Sequence, residues 1–131
     1  MKDQDNLVAD GNESGIPDIL VIDDEKDVCF LLCSYLRNNG MKAEYRLSLR
    51  EGRRYMEVNT PDVLLLDVNL KDGSGLSLMK EDVISDSTEV IVMSAQSQNK
   101  DEAMRLGAAE FMDKPFNMKN VMNTIERLTA D

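Results

Sequence analysis

The sequence predicts an α/β fold, in which five parallel strands form one sheet that helices cover on both faces. Short apolar segments alternate with segments of helical periodicity five times along the chain. Parallel neighbours need crossover connections, which helices supply, so this alternation favours a doubly wound sheet. The 131 residues suffice for one domain that buries its core without disulfides or a structural metal.

Each predicted strand is a short apolar run bounded by polar or turn-forming residues. The central run, Val63–Leu66, is the clearest, because its uninterrupted apolar residues are typical of a strand buried on both faces. The second strand is the weakest, since charged and apolar residues alternate in it. The predicted strands are Asp18–Ile22, Lys42–Tyr45, Val63–Leu66, Glu89–Met93 and Glu110–Met112.

Capping and breaking residues delimit the predicted helices. Gly40 ends the first helix as its C′ residue, and Ser48 begins the second as an N-cap, with Glu51 completing a capping box. The apolar face of the first helix is predicted to be Val28, Leu31, Leu32 and Leu36. Phe30 should therefore point outward. The later helices are predicted to span Ser48 to about Val58, Leu76–Val83, Asn99–Leu106 and Asn117–Leu128.

Composition restricts the function. The chain has 15 Lys and Arg against 25 Asp and Glu, a net charge of −10, which argues against direct binding to nucleic acid or to an anionic membrane. It contains no histidine, so no Ser-His-Asp or Cys-His catalytic arrangement and no phosphohistidine can form. Any chemistry must use carboxylates, hydroxyls, lysine or a metal ion.

Residues 1–16 are polar and acidic, and we predict a flexible tail there, followed by a single domain over residues 17–131. Cys29 and Cys33 lie four residues apart in a predicted helix, a spacing typical of reduced helix thiols. No apolar run approaches the roughly 20 residues of a membrane span, and no secretory signal begins the sequence. We therefore expect a cytoplasmic location.

Polar side chains follow the predicted strands where each strand ends. Asp23 and Asp24 follow the first strand, Asp67 the third, Ser94 the fourth and Lys114 the fifth. Carboxyl ends of parallel strands share one edge of the sheet, where ligands bind in this class of fold. Crowded carboxylate oxygens favour Mg²⁺, and a carboxylate that stands alone at a central strand, as Asp67 does, is a competent nucleophile toward phosphorus.

Four motifs, in this order, resemble the receiver domain of two-component response regulators, of the chemotaxis-regulator type. They are VIDDE (Val21–Glu25), LLLDVNLKDGSGL (Leu64–Leu76), VIVMSA (Val90–Ala95) and GAAEFMDKPF (Gly107–Phe116). The resemblance extends from about Pro17 to Leu128. It implies a flavodoxin-like three-layer sandwich whose five-stranded sheet has the order 2-1-3-4-5.

The resemblance also implies a role for each acidic residue. Asp67 corresponds to the phosphoacceptor, and Asp23 and Asp24 correspond to the Mg²⁺-binding acids that act together with Asp67. Asn69 matches the position whose main-chain carbonyl completes the metal site. The cofactor implied is Mg²⁺.

Further positions match the residues that sense the phosphoryl group in this family. Ser94 corresponds to the switch hydroxyl and Phe111 to the switch aromatic, where tyrosine is commoner. Lys114 corresponds to the lysine that contacts phosphate, and its bond to Pro115 is expected to be cis. Lys71 stands where the family often has proline, which predicts a looser loop after the phosphoacceptor.

The function implied is a phosphorylation-activated signalling switch, and not an enzyme acting on other molecules. A sensor histidine kinase or a histidine phosphotransfer protein would donate a phosphoryl group from phosphohistidine, and Phe30 would help to dock it. The last two helices and the fifth strand would form the output surface for an effector that the sequence does not identify. A phosphorylation-dependent homodimer is a further partner that this interpretation allows.

Three alternatives accompany this interpretation. A flavodoxin-like cofactor binder would need an uncharged, Gly-rich loop after the first strand, where this chain has DDEKD. A Mg²⁺-dependent aspartyl phosphohydrolase would need an acid two residues past the nucleophile, where this chain has Asn69. The third is that the chain is the receiver portion of a longer DNA-binding regulator or hybrid histidine kinase.

Overall fold

A computed structural model describes residues 15–130 of the protein. All but Gly15 and Ile16 of the predicted tail lies outside the described residues. The strands are β1 (Asp18–Ile22), β2 (Lys42–Arg46), β3 (Val63–Asp67), β4 (Asn69–Leu70), β5 (Gly73–Ser74), β6 (Glu89–Ser94) and β7 (Glu110–Asp113). The α-helices are α1 (Lys26–Asn38), α2 (Leu49–Val58), α3 (Gly75–Met79), α4 (Lys100–Arg105) and α5 (Met118–Thr129).

Five of these strands form one parallel sheet in the order β2-β1-β3-β6-β7. The remaining two, β4 and β5, form a separate antiparallel hairpin directly after β3. When this hairpin is set aside, the sheet has the predicted order 2-1-3-4-5, and the doubly wound fold is confirmed. The strand order reverses between β1 and β3. These two strands are paired so that Ile22 lies next to Leu66. The residues that follow these two strands are therefore neighbours.

The alternating side chains of the central strands fill two apolar layers, one on each face of the sheet. One layer includes Ile19, Val21 and Leu65, which are packed with residues of α1 and α5. The other includes Leu20, Ile22 and Leu66, packed with residues of α2, α3 and α4. Burial on both faces explains why the central strands are continuously apolar. No described helix is both long and apolar enough to cross a membrane.

The apolar face of α1 was predicted partly wrongly. The residues that α1 buries are Cys29, Leu32, Cys33 and Leu36. Leu31 is 56% exposed, against prediction, while Phe30 is 58% exposed, as predicted. Both cysteines are free thiols, and they serve as small apolar residues at the helix–sheet contact. Hydrophobicity alone could not separate this stripe from one rotated by a single residue, because apolar residues are adjacent in the sequence.

Local structure differs from prediction at α2 and α3. Ser48 caps α2 as predicted, accepting a hydrogen bond from the Glu51 amide at 3.1 Å. The Glu51 carboxylate, however, accepts from the amide of Leu47 at 3.4 Å, so the capping box is displaced by one residue. Helix α3 begins at Gly75 and ends at Met79, several residues short of the predicted end at Val83. The β4–β5 hairpin was not predicted at all.

Candidate metal and phosphorylation site

Three carboxylates meet at the carboxyl edge of the sheet, where β1 and β3 end. One oxygen each from Asp23, Asp24 and Asp67 lies within 4.8 Å of the others. Asp23 is fully buried and Asp67 is 4% exposed, whereas Asp24 is half-buried. The predicted acidic cluster therefore forms, and two of its members are enclosed by protein.

Lys114 connects the two buried carboxylates. Its Nζ lies 3.0 Å from Oδ2 of Asp23 and 3.2 Å from Oδ2 of Asp67. The exposed carboxylate of Glu25 is farther away, at 3.6 Å. The Lys114 amide donates to the carbonyl of Ser94 at 2.9 Å, and the Lys114–Pro115 peptide bond is cis. The loop after β7 thus carries the ammonium group to the ends of β1 and β3.

The pocket holds more negative charge than one lysine neutralises. Burial, and then the charge of Asp23, raises the pKa of Asp67 to about 6, although Lys114 acts in the opposite direction. Burial would lower the pKa of the Lys114 ammonium, but its hydrogen bond to Asp23 and the charge of Asp67 raise it. An oxygen-only donor set with excess negative charge fits a hard divalent cation such as Mg²⁺.

The backbone after β3 folds closely over the phosphoacceptor candidate. The Val68 amide donates to the carbonyl of Met93 at 3.1 Å, and the Gly75 amide donates back to the carbonyl of Val68 at 2.8 Å. A Cβ atom on Gly75 would lie 2.0 Å from the carbonyl oxygen of Asp67, so only glycine fits there. The Asn69 amide donates to Oδ1 of Asp67 at 3.4 Å, which places the Asn69 backbone at the rim of the pocket.

Ser94, at the end of β6, is fully buried, and its hydroxyl group is bonded within its own loop. The hydroxyl oxygen accepts from the Gln96 amide at 3.0 Å and from the Asn99 carboxamide at 2.9 Å, and it donates to the Gln96 carbonyl at 3.2 Å. Phe111 in β7 is half-buried and packs against the apolar layer that contains Val92.

The sequence patterns did not indicate three contacts around this site. Asn99 was predicted only as a helix start, yet it donates to Ser94. Asp72 lies in the predicted loop after the phosphoacceptor, and its carboxylate caps α2. The Cys29 thiol donates to the main-chain carbonyl of Asp23 at 3.2 Å. The contact of Asp72 joins segments far apart in the sequence, and the other two depend on how the chain folds after β6 and after β1. The sequence patterns indicate none of these geometries.

An acidic pocket with one lysine, at the carboxyl edge of a doubly wound sheet, is the arrangement that the motifs anticipated. The family described as the response regulator receiver domain matches residues 19–126, and the chain belongs to this family. Receiver domains are signalling domains of two-component systems.

Curated relatives support this assignment. The chain is 30% identical over 100 residues to the KDP operon transcriptional regulatory protein KdpE of Escherichia coli, covering 75% of this chain and 44% of KdpE. It is 31% identical over 113 residues to the virulence transcriptional regulatory protein PhoP of Salmonella typhimurium, covering 84% of this chain and 50% of PhoP. The chain therefore spans about half the length of the curated relatives it matches.

Solved structures share the fold. A CheY-like receiver domain protein from Methanospirillum hungatei superposes with a TM-score of 0.81, covering 87% of this chain and 94% of that chain. At 22% identity, this similarity establishes the fold alone.

Proposed function

We propose that the domain is a phosphorylation-dependent switch that accepts a phosphoryl group on Asp67 with Mg²⁺ bound. The observation that carries the proposal is the position of Asp67, which is buried beside two further acids and 3.2 Å from the ammonium of Lys114. These 131 residues contain no histidine, so the phosphohistidine donor would lie outside them, on a sensor histidine kinase or a histidine phosphotransfer protein.

In the transfer step, a carboxylate oxygen of Asp67 attacks the phosphorus atom of the donor phosphohistidine. The new O–P bond forms as the donor N–P bond breaks, and the imidazole nitrogen keeps the electron pair and later takes a proton from water. Asp67 must be ionised for this attack, and Lys114 favours the ionised form. The ammonium group of Lys114 also lies where it can donate a hydrogen bond to a phosphoryl oxygen.

The residues that would hold Mg²⁺ are the carboxylates of Asp23, Asp24 and Asp67, together with the main-chain carbonyl of Asn69. When bound, the ion would neutralise the negative charge that develops on the phosphoryl oxygens during transfer. The oxygen-only donor set and the raised pKa of Asp67 support a cation at this position. The short, Gly-containing loop after β3 keeps the Asn69 backbone close to the carboxylates.

The switch step follows from the added charge. A phosphoryl group on Asp67 brings acceptor oxygens that compete for the hydroxyl of Ser94 and the ammonium of Lys114. Ser94 would then exchange its bonds to Gln96 and Asn99 for the phosphoryl group. The half-buried ring of Phe111 would repack with the loop, which changes the output surface formed by α4, β7 and α5.

The donor protein would dock on the apolar surface beside the pocket. The side chains of Phe30 and Leu31 are more than half exposed on α1. Leu31 also lines an apolar hollow of about 420 Å³ beside the pocket, together with Lys114, Val28, Pro115, Phe116 and Met118. An exposed apolar surface that reaches the reactive pocket suits a transient contact with the phosphorylated protein.

A second proposal concerns the longer protein to which this domain would belong. KdpE and PhoP are transcriptional regulatory proteins of about twice the matched length. We propose that this receiver domain controls the output of a longer regulator, in which a separate region binds the target.

Intact-mass measurement after incubation with acetyl phosphate tests the main proposal. The wild-type protein should gain one phosphoryl group with Mg²⁺ and none with EDTA. Asp67→Asn should gain none, whereas Asp82→Asn, the same change at an exposed site, should behave as the wild type. An adduct that persists in Asp67→Asn, or that forms equally with EDTA, would overturn the proposal.

A further inference from the structure

Asp72 lies outside the acidic pocket, in the turn between β4 and β5, and it caps a helix that is distant in the sequence. Its Oδ1 accepts from the Leu49 amide at 2.9 Å, and its Oδ2 accepts from the Arg50 amide at 3.1 Å. These amides are at the N-terminus of α2. The two hydrogen bonds lower the pKa of Asp72, so its carboxylate is charged at neutral pH. One side chain therefore joins the turn after the phosphoacceptor to α2.

The β4–β5 hairpin connects Asp72 to Asn69. Asn69 is paired with Ser74, and Leu70 is paired with Gly73, so Asp72 and Lys71 form the turn between them. Gly73 has φ +143°, a backbone conformation that other residues rarely adopt. In so short a hairpin, a displacement at the turn is carried directly to Asn69.

The helix that receives this contact is itself fixed at the edge of the sheet. A Cβ atom on Gly52 of α2 would lie 2.3 Å from Cδ1 of Ile22, so the helix packs directly against the last residue of β1. Ile22 immediately precedes Asp23 of the acidic pocket. Arg53 of α2 also forms a bidentate ion pair with Glu81, which follows α3. Its Nε and Nη2 donate to the two carboxylate oxygens of Glu81 at 2.8 and 2.7 Å. Helix α2 thus packs directly against the strand that leads into the pocket.

We propose that Asp72 is a positioning residue for the metal site. By binding the N-terminus of α2, it holds the hairpin so that the main-chain carbonyl of Asn69 stays beside Asp67. The proposal rests on the function proposed above, because it assumes that the Asn69 carbonyl binds Mg²⁺. It also explains how the loop tolerates Lys71, a residue without the fixed φ of proline: the side chain of Asp72 supplies the restraint.

Mg²⁺ affinity, measured by ¹H–¹⁵N NMR titration of the full chain, tests this role. Asp72→Ala should weaken Mg²⁺ binding by about tenfold, the lower end of the range for residues that orient metal ligands. Ser48→Ala is the matched control, since it also removes a cap from the N-terminus of α2 but does not touch the hairpin. Ser48→Ala should bind Mg²⁺ as the wild type does.

A second variant separates position from charge. Asp72→Asn removes the negative charge but keeps a side-chain oxygen that can accept from the Leu49 amide. If Asp72 acts by position, Asp72→Asn should recover part of the affinity lost in Asp72→Ala, because its one carboxamide oxygen can replace one of the two acceptors, whereas its NH₂ group cannot accept from the second amide. Equal losses in the two variants would mean that Asp72 acts only through its charge and would overturn the proposal.

Failure of this inference differs from failure of the proposed function. If the wild-type protein binds Mg²⁺ and Asp72→Ala binds it equally well, the positioning role alone is wrong. If the wild-type protein shows no Mg²⁺-dependent shifts at the pocket, the proposed function falls and this inference falls with it. The backbone dispersion of each spectrum shows in the same experiment whether each variant is folded.

Discussion

The hydroxyl oxygen of Ser94 lies 2.9 Å from Nδ2 of Asn99, so a buried switch candidate is bonded to the loop that follows it. Two further hydrogen bonds to the backbone of Gln96 complete the coordination of this hydroxyl group. A phosphoryl group on Asp67 would have to compete with all three bonds. The Asn99 contact is the only one of these three that a side-chain substitution can remove without changing Ser94. If phosphorylation draws the Ser94 hydroxyl away from this loop, the Asn99 contact would favour the conformation described here over the phosphorylated one.

Asn99→Ala should make the domain easier to activate. Removing one side-chain hydrogen bond changes a conformational balance by about 1 kcal/mol, or about fivefold in an equilibrium constant. We expect the apparent affinity for beryllofluoride, a phosphoryl mimic, to rise by about that factor in the presence of Mg²⁺. Gln98→Ala, an exposed neighbour in the same loop, should leave the affinity unchanged. An unchanged affinity in Asn99→Ala would show that the contact does not bias the switch.

Lys114→Met should destabilise the metal-free protein, because it leaves the Asp23 and Asp67 carboxylates buried without their shared cation. The side chain of Lys114 is 18% exposed, so we expect a loss of about 2 kcal/mol, less than for a fully enclosed pair. The loss is measured by urea unfolding in EDTA, with Lys119→Met on the exposed face of α5 as the control. Added Mg²⁺ should recover more stability in Lys114→Met than in the wild type. Equal stability of the two variants in EDTA would contradict the role of this ion pair.

The acidic pocket predicts a pH dependence of stability in the metal-free protein. The pKa of Asp67 rises from 3.8 to about 6 on folding, so between these values the folded state binds more protons than the unfolded state. Stability should therefore fall as pH rises from about 4 to about 7, by roughly 1 to 3 kcal/mol from this group. Asp67→Asn removes this titrating carboxyl group and therefore its contribution to the pH dependence.

Urea unfolding of the wild type and Asp67→Asn in EDTA, at several pH values in this window, measures the effect. The stability of Asp67→Asn relative to the wild type should increase with pH across the window. A constant difference between the two proteins would show that the carboxyl of Asp67 titrates normally.

Sequence analysis predicted the parts of the fold that several sequence features indicate together, such as apolar runs bounded by polar or turn-forming residues. Burial of both faces makes β3 continuously apolar, and every strand of the parallel sheet must end at the same edge. Once those strands were identified, the convergence of Asp23, Asp67 and Lys114 followed from topology. The family motifs added the strand order, which the alternation of strands and helices does not determine.

The contacts that were missed depend on orientation and on loop geometry. The rotation of α1 follows from how two small cysteines fit against the sheet, and neighbouring apolar residues conceal it in the sequence. The bond from Asn99 to Ser94 depends on how the loop after β6 is folded. The contact between Asp72 and α2 joins residues more than twenty positions apart.

Phe30→Ala separates docking from phosphoryl chemistry. Phe30 is 58% exposed on α1, so its removal should change the free energy of unfolding by no more than about 0.5 kcal/mol. Phosphorylation by acetyl phosphate, which needs no protein contact, should proceed at the wild-type rate. Transfer from a purified, autophosphorylated histidine kinase that phosphorylates the wild type should slow by about tenfold, the effect of losing an aromatic contact at an interface.

Val58→Ala is the matched control for this measurement, since Val58 is 82% exposed but lies at the end of α2, away from the hollow beside Lys114. It should affect neither reaction. A kinase reaction that is equally fast in Phe30→Ala and the wild type would remove this face of α1 from the docking surface. Slowing of both reactions would instead place Phe30 in support of the pocket itself, because the small donor reports on the pocket alone.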